Sequence, residues 1–235
     1  MYPLGIAVSI LILCIGVWLT RLQSKPRKIT LYALAIGLFL YKAIEYTIYG
    51  LNMQLNKIPL EFSTMSYFIF SISVIFNIKK LSSVAAFCAF VSGIGYLLSF
   101  MVIGDQYFEN NGFHLAIMAF LNHSILFLGS MLLVKQIDFS SKEISNILKF
   151  TFVYVFYVII MNQLIPFTQQ YIFIRVLLGA DLLSSIFPNH VFTSYEYLLY
   201  FLLIFTIYRV FISLFFLIGK TIGRNHGGMK NEHSI

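Results

Sequence analysis

The chain has 235 residues, 59% of them hydrophobic and only 11% charged. A soluble domain carries roughly 25% charged residues, so too few charges remain to cover a water-facing surface, and a soluble globular fold is excluded. The formal net charge of +7 follows a membrane-topology pattern set out below, and nucleic acid is not needed to explain it.

A membrane span needs about 20 apolar residues. In chain order, seven segments qualify, with boundaries good to a few residues: Leu4 to Thr20, Ile29 to Leu51, Pro59 to Ile78, Ser82 to Ile103, Phe113 to Val134, Ile147 to Phe167 and Tyr197 to Gly219. Period-2 alternation is missing, which argues against a β-barrel. The expected fold is all-α: a polytopic bundle of about seven transmembrane helices over residues 1–219, with a short basic tail over 220–235.

The first segment is not built as a signal peptide. Basic residues follow its apolar core (Arg21, Lys25, Arg27, Lys28) instead of preceding it, which suits a retained helix. Loop by loop, the basic residues gather after odd-numbered segments. Those loops hold Arg21, Lys25, Arg27, Lys28, then Lys79, Lys80, then Lys135, Lys142, Lys149, then Lys220, Arg224 and Lys230, which is twelve of the sixteen. Opposite them stand only Lys57 and Arg175. The positive-inside rule then puts the N-terminus outside and the C-terminus in the cytoplasm, in a multi-pass protein of the cell membrane. The outer segment Thr168 to Glu196 is unusually apolar for a loop and is expected at the interface or folded over the bundle.

Small residues recur at Ala85, Ala89 and Gly93. That spacing puts them on one helix face, where a neighbouring helix can approach closely. Cys14 and Cys88 show neither metal spacing nor a disulfide framework and read as packing residues. No metal or nucleotide motif occurs, so no metal and no cofactor are expected; membrane lipids are the expected partners.

Ionisable groups inside a bilayer are costly and are functional candidates by default. They are Lys42, Glu45, Glu61, His123 and Arg209, with Ser63, Asn122, Asn162 and Gln163 as polar companions. At about 1.5 Å per residue, Glu45, Ser63, His123, Asn162 and Arg209 all lie about 16–25 Å above the nearest cytoplasmic basic residue. One shared layer on five helices suggests a polar cavity in the outer half of the bilayer, open to the outside, with Glu45, Glu61, Asn122, Asn162 and Arg209 as substrate-binding candidates. Plain structural readings stand beside this one. Lys42 and Glu45 are three apart and can neutralise each other. Glu61 can be solvated at the interface, Arg209 can hold helices together, and Asn122 can bridge helices. Arg209 is expected to approach Glu45, with Lys42 turned towards water or headgroups.

Several stretches carry a family resemblance. They are Glu45-Tyr46-Thr47-Ile48-Tyr49, Ile58-Pro59-Leu60-Glu61-Phe62-Ser63, Phe120-Leu121-Asn122-His123, Gln170-Tyr171 and Leu182-Leu183-Ser184-Ser185-Ile186-Phe187-Pro188. Their order over roughly residues 40–215 resembles the YwaF family of bacterial integral membrane proteins, related to the eukaryotic transmembrane protein 164 family. The resemblance implies lipid acyl transfer or lipid-ester hydrolysis, with a nucleophile at Ser63 and a general base at His123. The family's His-X-Cys reads Glu61-Phe62-Ser63 here, and a serine needs a base to take its proton. Asn122 or Asn162 would then donate to the oxyanion. The rival reading is a non-catalytic binder, receptor or transporter using the same cavity, although no inverted repeat of the transporter kind is visible. Proximity of Ser63 and His123 separates the two readings.

Overall fold

The structure is a computed structural model and describes residues 2–54, 57–137, 139–165, 190–191 and 193–224. Among these residues it is all-helical. The helices are α1 (Tyr2–Leu19), α2 (Ser24–Leu51), α3 (Phe62–Ile75), α4 (Ser82–Asn111), α5 (Phe113–Val134), α6 (Ser141–Leu164) and α7 (Ser194–Arg224), with one 3-10 turn at Lys79–Leu81. Each expected apolar segment overlaps one helix. Five helices (α2, α4, α5, α6 and α7) are long and apolar enough to cross a membrane, whereas α1 and α3 are shorter apolar helices. Most of the apolar outer segment, the two latter stretches of the family resemblance and the tail beyond residue 224 lie outside the described residues.

Helix ends follow local chemistry. At the end of α3, Asn77 takes a left-handed φ of 50°. Its N–H donates to the Val74 carbonyl at 3.2 Å, and the Ile78 N–H donates to the Ser73 carbonyl at 2.9 Å. This paired pattern satisfies carbonyls that the helix leaves open. Gly112, at a φ of 75°, divides α4 from α5, a backbone conformation that glycine adopts without a Cβ clash.

Helices α4 and α5 form the centre. Each packs along much of its length on the other; α1 and α3 pack on α4, α2 packs on α3 and α5, and α6 and α7 close the outside. Ala85, Ala89 and Gly93 are buried. A Cβ added at Gly93 would meet the Phe127 backbone nitrogen at 2.6 Å. Backbone atoms cannot swing aside as a side chain can, so this position requires glycine.

The end of the bundle that carries the basic loops is tied together. Ser83 of α4 donates to Glu143 of α6, and Asn146 adds a 3.3 Å bond to the same carboxylate. Lys135, just past α5, donates to the Ile222 carbonyl of α7 at 2.6 Å. Burial first, and then the charge of Arg27, hold the Lys135 ammonium below the ordinary lysine range. Phe139 packs edge-on against Phe215 and Phe216. This end therefore gathers the starts of α2, α4 and α6 with the ends of α5 and α7.

Gly93→Val should lower stability by about 1–3 kcal/mol, since overpacking at a rigid contact costs about that much. Gly37→Ala in α2, where nothing lies within 4 Å of the added carbon, should be neutral or gain up to about 1 kcal/mol from helix propensity. Thermal unfolding of both variants in detergent micelles measures the contrast; equal effects would contradict the close α4–α5 approach.

Candidate functional site

The polar residues meet where α2, α3, α4 and α5 adjoin. On α2, Lys42 and Glu45 are three residues apart and share a helix face. The Lys42 Nζ donates to Glu45 Oε2 at 2.7 Å. Lys42 is only 8% exposed. Its ammonium also lies 4.6 Å from the centre of the Tyr67 ring and 5.0 Å from that of Tyr41, where the ring faces attract a cation. The second carboxylate oxygen of Glu45 accepts from the Tyr49 hydroxyl at 3.2 Å. The charge pair, with Lys42 buried and Glu45 half-buried, thus has partners on both sides, which offsets the cost of taking ions out of water.

His123 of α5 is the second node. Its Nδ1 lies 3.1 Å from the Ser92 carbonyl of α4 and 3.3 Å from the Ser92 hydroxyl. A carbonyl only accepts, so Nδ1 carries a proton; the tautomer is assigned from this partner. In the neutral ring Nε2 is then an acceptor, and the Tyr67 hydroxyl of α3 lies 3.0 Å from it. Tyr96, one turn beyond Ser92, stacks on the imidazole with ring centres 4.2 Å apart and planes within 2°. The Tyr67 ring meets the Lys42 ammonium and its hydroxyl meets His123 Nε2, so Tyr67 links the two nodes. Asn122 is buried, and Tyr41 lies within interaction range of both Asn122 and Glu45.

An open pocket of about 160 Å³ lies at the end of α2, lined by Tyr46, Tyr49, Lys57, Pro59 and their neighbours. Tyr49 stands between this pocket and the Glu45 carboxylate. Tyr46 bridges to Thr64 of α3 at 3.4 Å. Across the start of α3, the Tyr154 hydroxyl of α6 donates to the Leu60 carbonyl at 2.5 Å, which fixes the turn that presents Glu61 and Ser63.

The structure therefore brings some of the expected site residues together and leaves others apart. Glu45 and His123 belong to the network, and Asn122 lies beside it. Ser63 is half-buried in the first turn of α3, four residues before Tyr67 and so on the same helix face. Among the described residues, no hydrogen bond joins Ser63 to His123; Tyr67 holds Nε2 instead. Glu61 precedes α3, and its backbone carbonyl accepts the Met65 N–H at 3.0 Å. Asn162 lies in α6, but its side chain is not among the described atoms. Arg209 is exposed near the middle of α7. The expected approach of Arg209 to Glu45 is not made: Glu45 is taken by Lys42 and Tyr49, and α7 packs on α4 and α5. Lys42 is buried, where the sequence reading turned it towards water. Among the described residues, no three His, Cys, Asp or Glu side chains converge as metal ligands.

Sequence reasoning missed Tyr67, Ser92 and Tyr96. Tyr67 carried a usable signal, its four-residue spacing from Ser63. Ser92 and Tyr96 carried only their place beside Gly93. Tyr67→Phe should lower stability by about 1–3 kcal/mol, because it leaves a buried imidazole nitrogen without its donor. Tyr32→Phe on the exposed face of α2 serves as the control and should change little. A thermal shift of the same size in both variants would remove Tyr67 from the network. Compared with protein-family models, curated proteins and solved structures, the chain matches none of them.

Proposed function

We propose that this chain is a multi-pass protein of the cell membrane that binds the polar part of a membrane lipid, or a small polar molecule, at the Lys42–Glu45–Tyr67–His123 network. The carrying observation is that network itself: ionisable side chains from separate helices, satisfied by one another, beside an open pocket at the end of α2. Ionisable groups inside a membrane are rare and mark substrate and ion paths by default. In the proposed arrangement seven helices span the bilayer, with the N-terminus outside and the C-terminus cytoplasmic. The pocket then faces outward, and the tied, basic end faces the cytoplasm.

A second reading is lipid acyl transfer or lipid-ester hydrolysis in a YwaF-like protein, with Ser63 as nucleophile and His123 as base. It is favoured by the place of Ser63 one turn from Tyr67, on the face that reaches His123. The binding reading has the better support, because both imidazole nitrogens are already engaged within the network. A general base needs its acceptor nitrogen within hydrogen-bond reach of the nucleophile.

The topology is checked by fusing a reporter that is active only in the cytoplasm to the C-terminus. Activity is expected, and a stably expressed but inactive fusion would reverse the orientation. The choice of function is checked by lipid profiles of cells expressing wild-type protein, Ser63→Ala, Ser63→Cys and His123→Ala at equal abundance. Binding without chemistry predicts the same acyl-chain composition in all four. Loss of one lipid change in both alanine variants, with activity retained in Ser63→Cys, would establish the catalytic reading instead.

A further inference from the structure

The basic end of the bundle holds a pair of cations that its ties do not use up. Arg27 stands in the first turn of α2, on the face that continues through the buried residues Leu31, Ala35 and Leu38. It is half-buried, whereas Lys25 and Lys28 beside it are exposed. A basic residue that only marks the membrane side needs to reach water; Arg27 turns inward instead. Its Nε is enclosed and donates to no described residue. Lys135, just past α5, gives one of its three N–H donors to the Ile222 carbonyl of α7 at 2.6 Å, and the charge of Arg27 acts on it. Neighbouring like charges repel, and an arginine does not shed its proton, so the fold sets together two cations that call for an anion. No acidic residue stands in the first turn of α2 and no side chain caps it, so its open N–H groups add positive potential at the same place. The carboxylate described at this end, Glu143, is bound by Ser83 and Asn146. Asp138 and Glu232 lie outside the described residues and are tested below. Exposed apolar residues begin at this level, Ile29 on α2 and Leu217 on α7, as they do where a span leaves the headgroups.

We propose that Arg27 and Lys135 bind the phosphate of an anionic phospholipid headgroup, between the start of α2 and the ends of α5 and α7. The guanidinium offers planar donors that match phosphate oxygens, and the ammonium offers its two remaining N–H donors. Basic pockets between spans recognise anionic lipids in this way. A zwitterionic headgroup would bring its own ammonium against two cations. A free phosphate shares the chemistry but has no chains to lie along Ile29 and Leu217.

The test uses the full chain in phosphatidylcholine vesicles and reads energy transfer from Trp18, the only tryptophan, to a labelled lipid. Labelled phosphatidylglycerol should associate roughly tenfold or more tighter than equally labelled phosphatidylcholine. Arg27→Gln and Lys135→Gln should each remove most of that preference, while Lys25→Gln and Lys28→Gln should keep most of it. Equal losses from all four would reduce the site to general surface charge and overturn the proposal. Displacement of the lipid by inorganic phosphate at matched ionic strength would make a free anion the occupant, and would equally overturn it. Asp138→Asn combined with Glu232→Gln should leave the preference unchanged; a preference that appears only in this double variant would show that the chain's own carboxylates hold the cations, and would overturn the lipid site. Thermal unfolding gives an independent readout. In pure phosphatidylcholine, Arg27→Gln should unfold at or above the wild-type temperature, and adding phosphatidylglycerol should raise the wild type more than the variant. A variant that unfolds below the wild type in pure phosphatidylcholine would show a partner for Arg27 within the chain and would overturn the proposal.

Discussion

The contact of Gly93 with the Phe127 backbone governs the interior. Only a residue without Cβ lets α5 come this close to α4, and the consequences run along both helices. One turn from Phe127 on α5 is His123; next to Gly93 on α4 is Ser92. Close approach of the backbones is what brings an imidazole nitrogen to 3.1 Å from a main-chain carbonyl on the neighbouring helix. Tyr96, one turn further along α4, then lies flat on the ring. Orientation and tautomer of His123 are thereby fixed from α4, before α3 contributes Tyr67. A wider spacing would leave the Ser92 carbonyl out of reach and the ring free to rotate.

The second node has a different physical basis. Lys42 and Glu45 come from the same helix and would pair on any α2, so their bond follows from local spacing. What tertiary structure adds is the surroundings: the rings of Tyr41 and Tyr67 beneath the ammonium and the Tyr49 hydroxyl on the free carboxylate oxygen. A buried pair is tolerable only when its remaining donors and acceptors find partners. Aromatic faces meet that need for a cation while keeping the site dry. Tyrosine is the residue that can serve both nodes, since its ring meets Lys42 and its hydroxyl meets His123.

Legibility in the sequence followed the same division between local and tertiary causes. Helix positions were readable because apolar run length is local, and each expected segment overlaps one helix, although α1 and α3 are shorter than the segments suggested. The Ala85–Ala89–Gly93 stripe was readable because four-residue spacing defines a helix face. The three-residue spacing of Lys42 and Glu45 offered their pairing as the plain reading, while the expected partner of Glu45, Arg209, came from depth alone and is not the one found. Which helix meets which was not. Depth counting put Glu45, His123 and Arg209 in one layer, but depth says nothing about azimuth. Arg209 faces out of the bundle, on a helix whose buried residues Ile212, Phe215 and Phe216 come later. Tyr67, Ser92 and Tyr96 went unread because tyrosine and serine are common in apolar helices, and only a neighbouring helix distinguishes the ones that matter.

The two ends of the bundle are built for different duties. At the basic end, links between helices are made by side chains reaching across: Ser83 to Glu143, Lys135 to the Ile222 carbonyl, Phe139 to the α7 phenylalanines. These links fasten α6 and α7, which otherwise have little buried surface, to the α4–α5 centre. At the other end, Tyr46 meets Thr64 and Tyr154 meets the Leu60 carbonyl beside a second apolar cluster of Leu60, Tyr154 and Val158 with Phe62 edge-on to Tyr154, and a pocket opens between α2 and the turn before α3. The Glu45 carboxylate sits just behind that pocket, joined to it through Tyr49. Tyr49 belongs to both, its ring lining the pocket and its hydroxyl donating to the carboxylate.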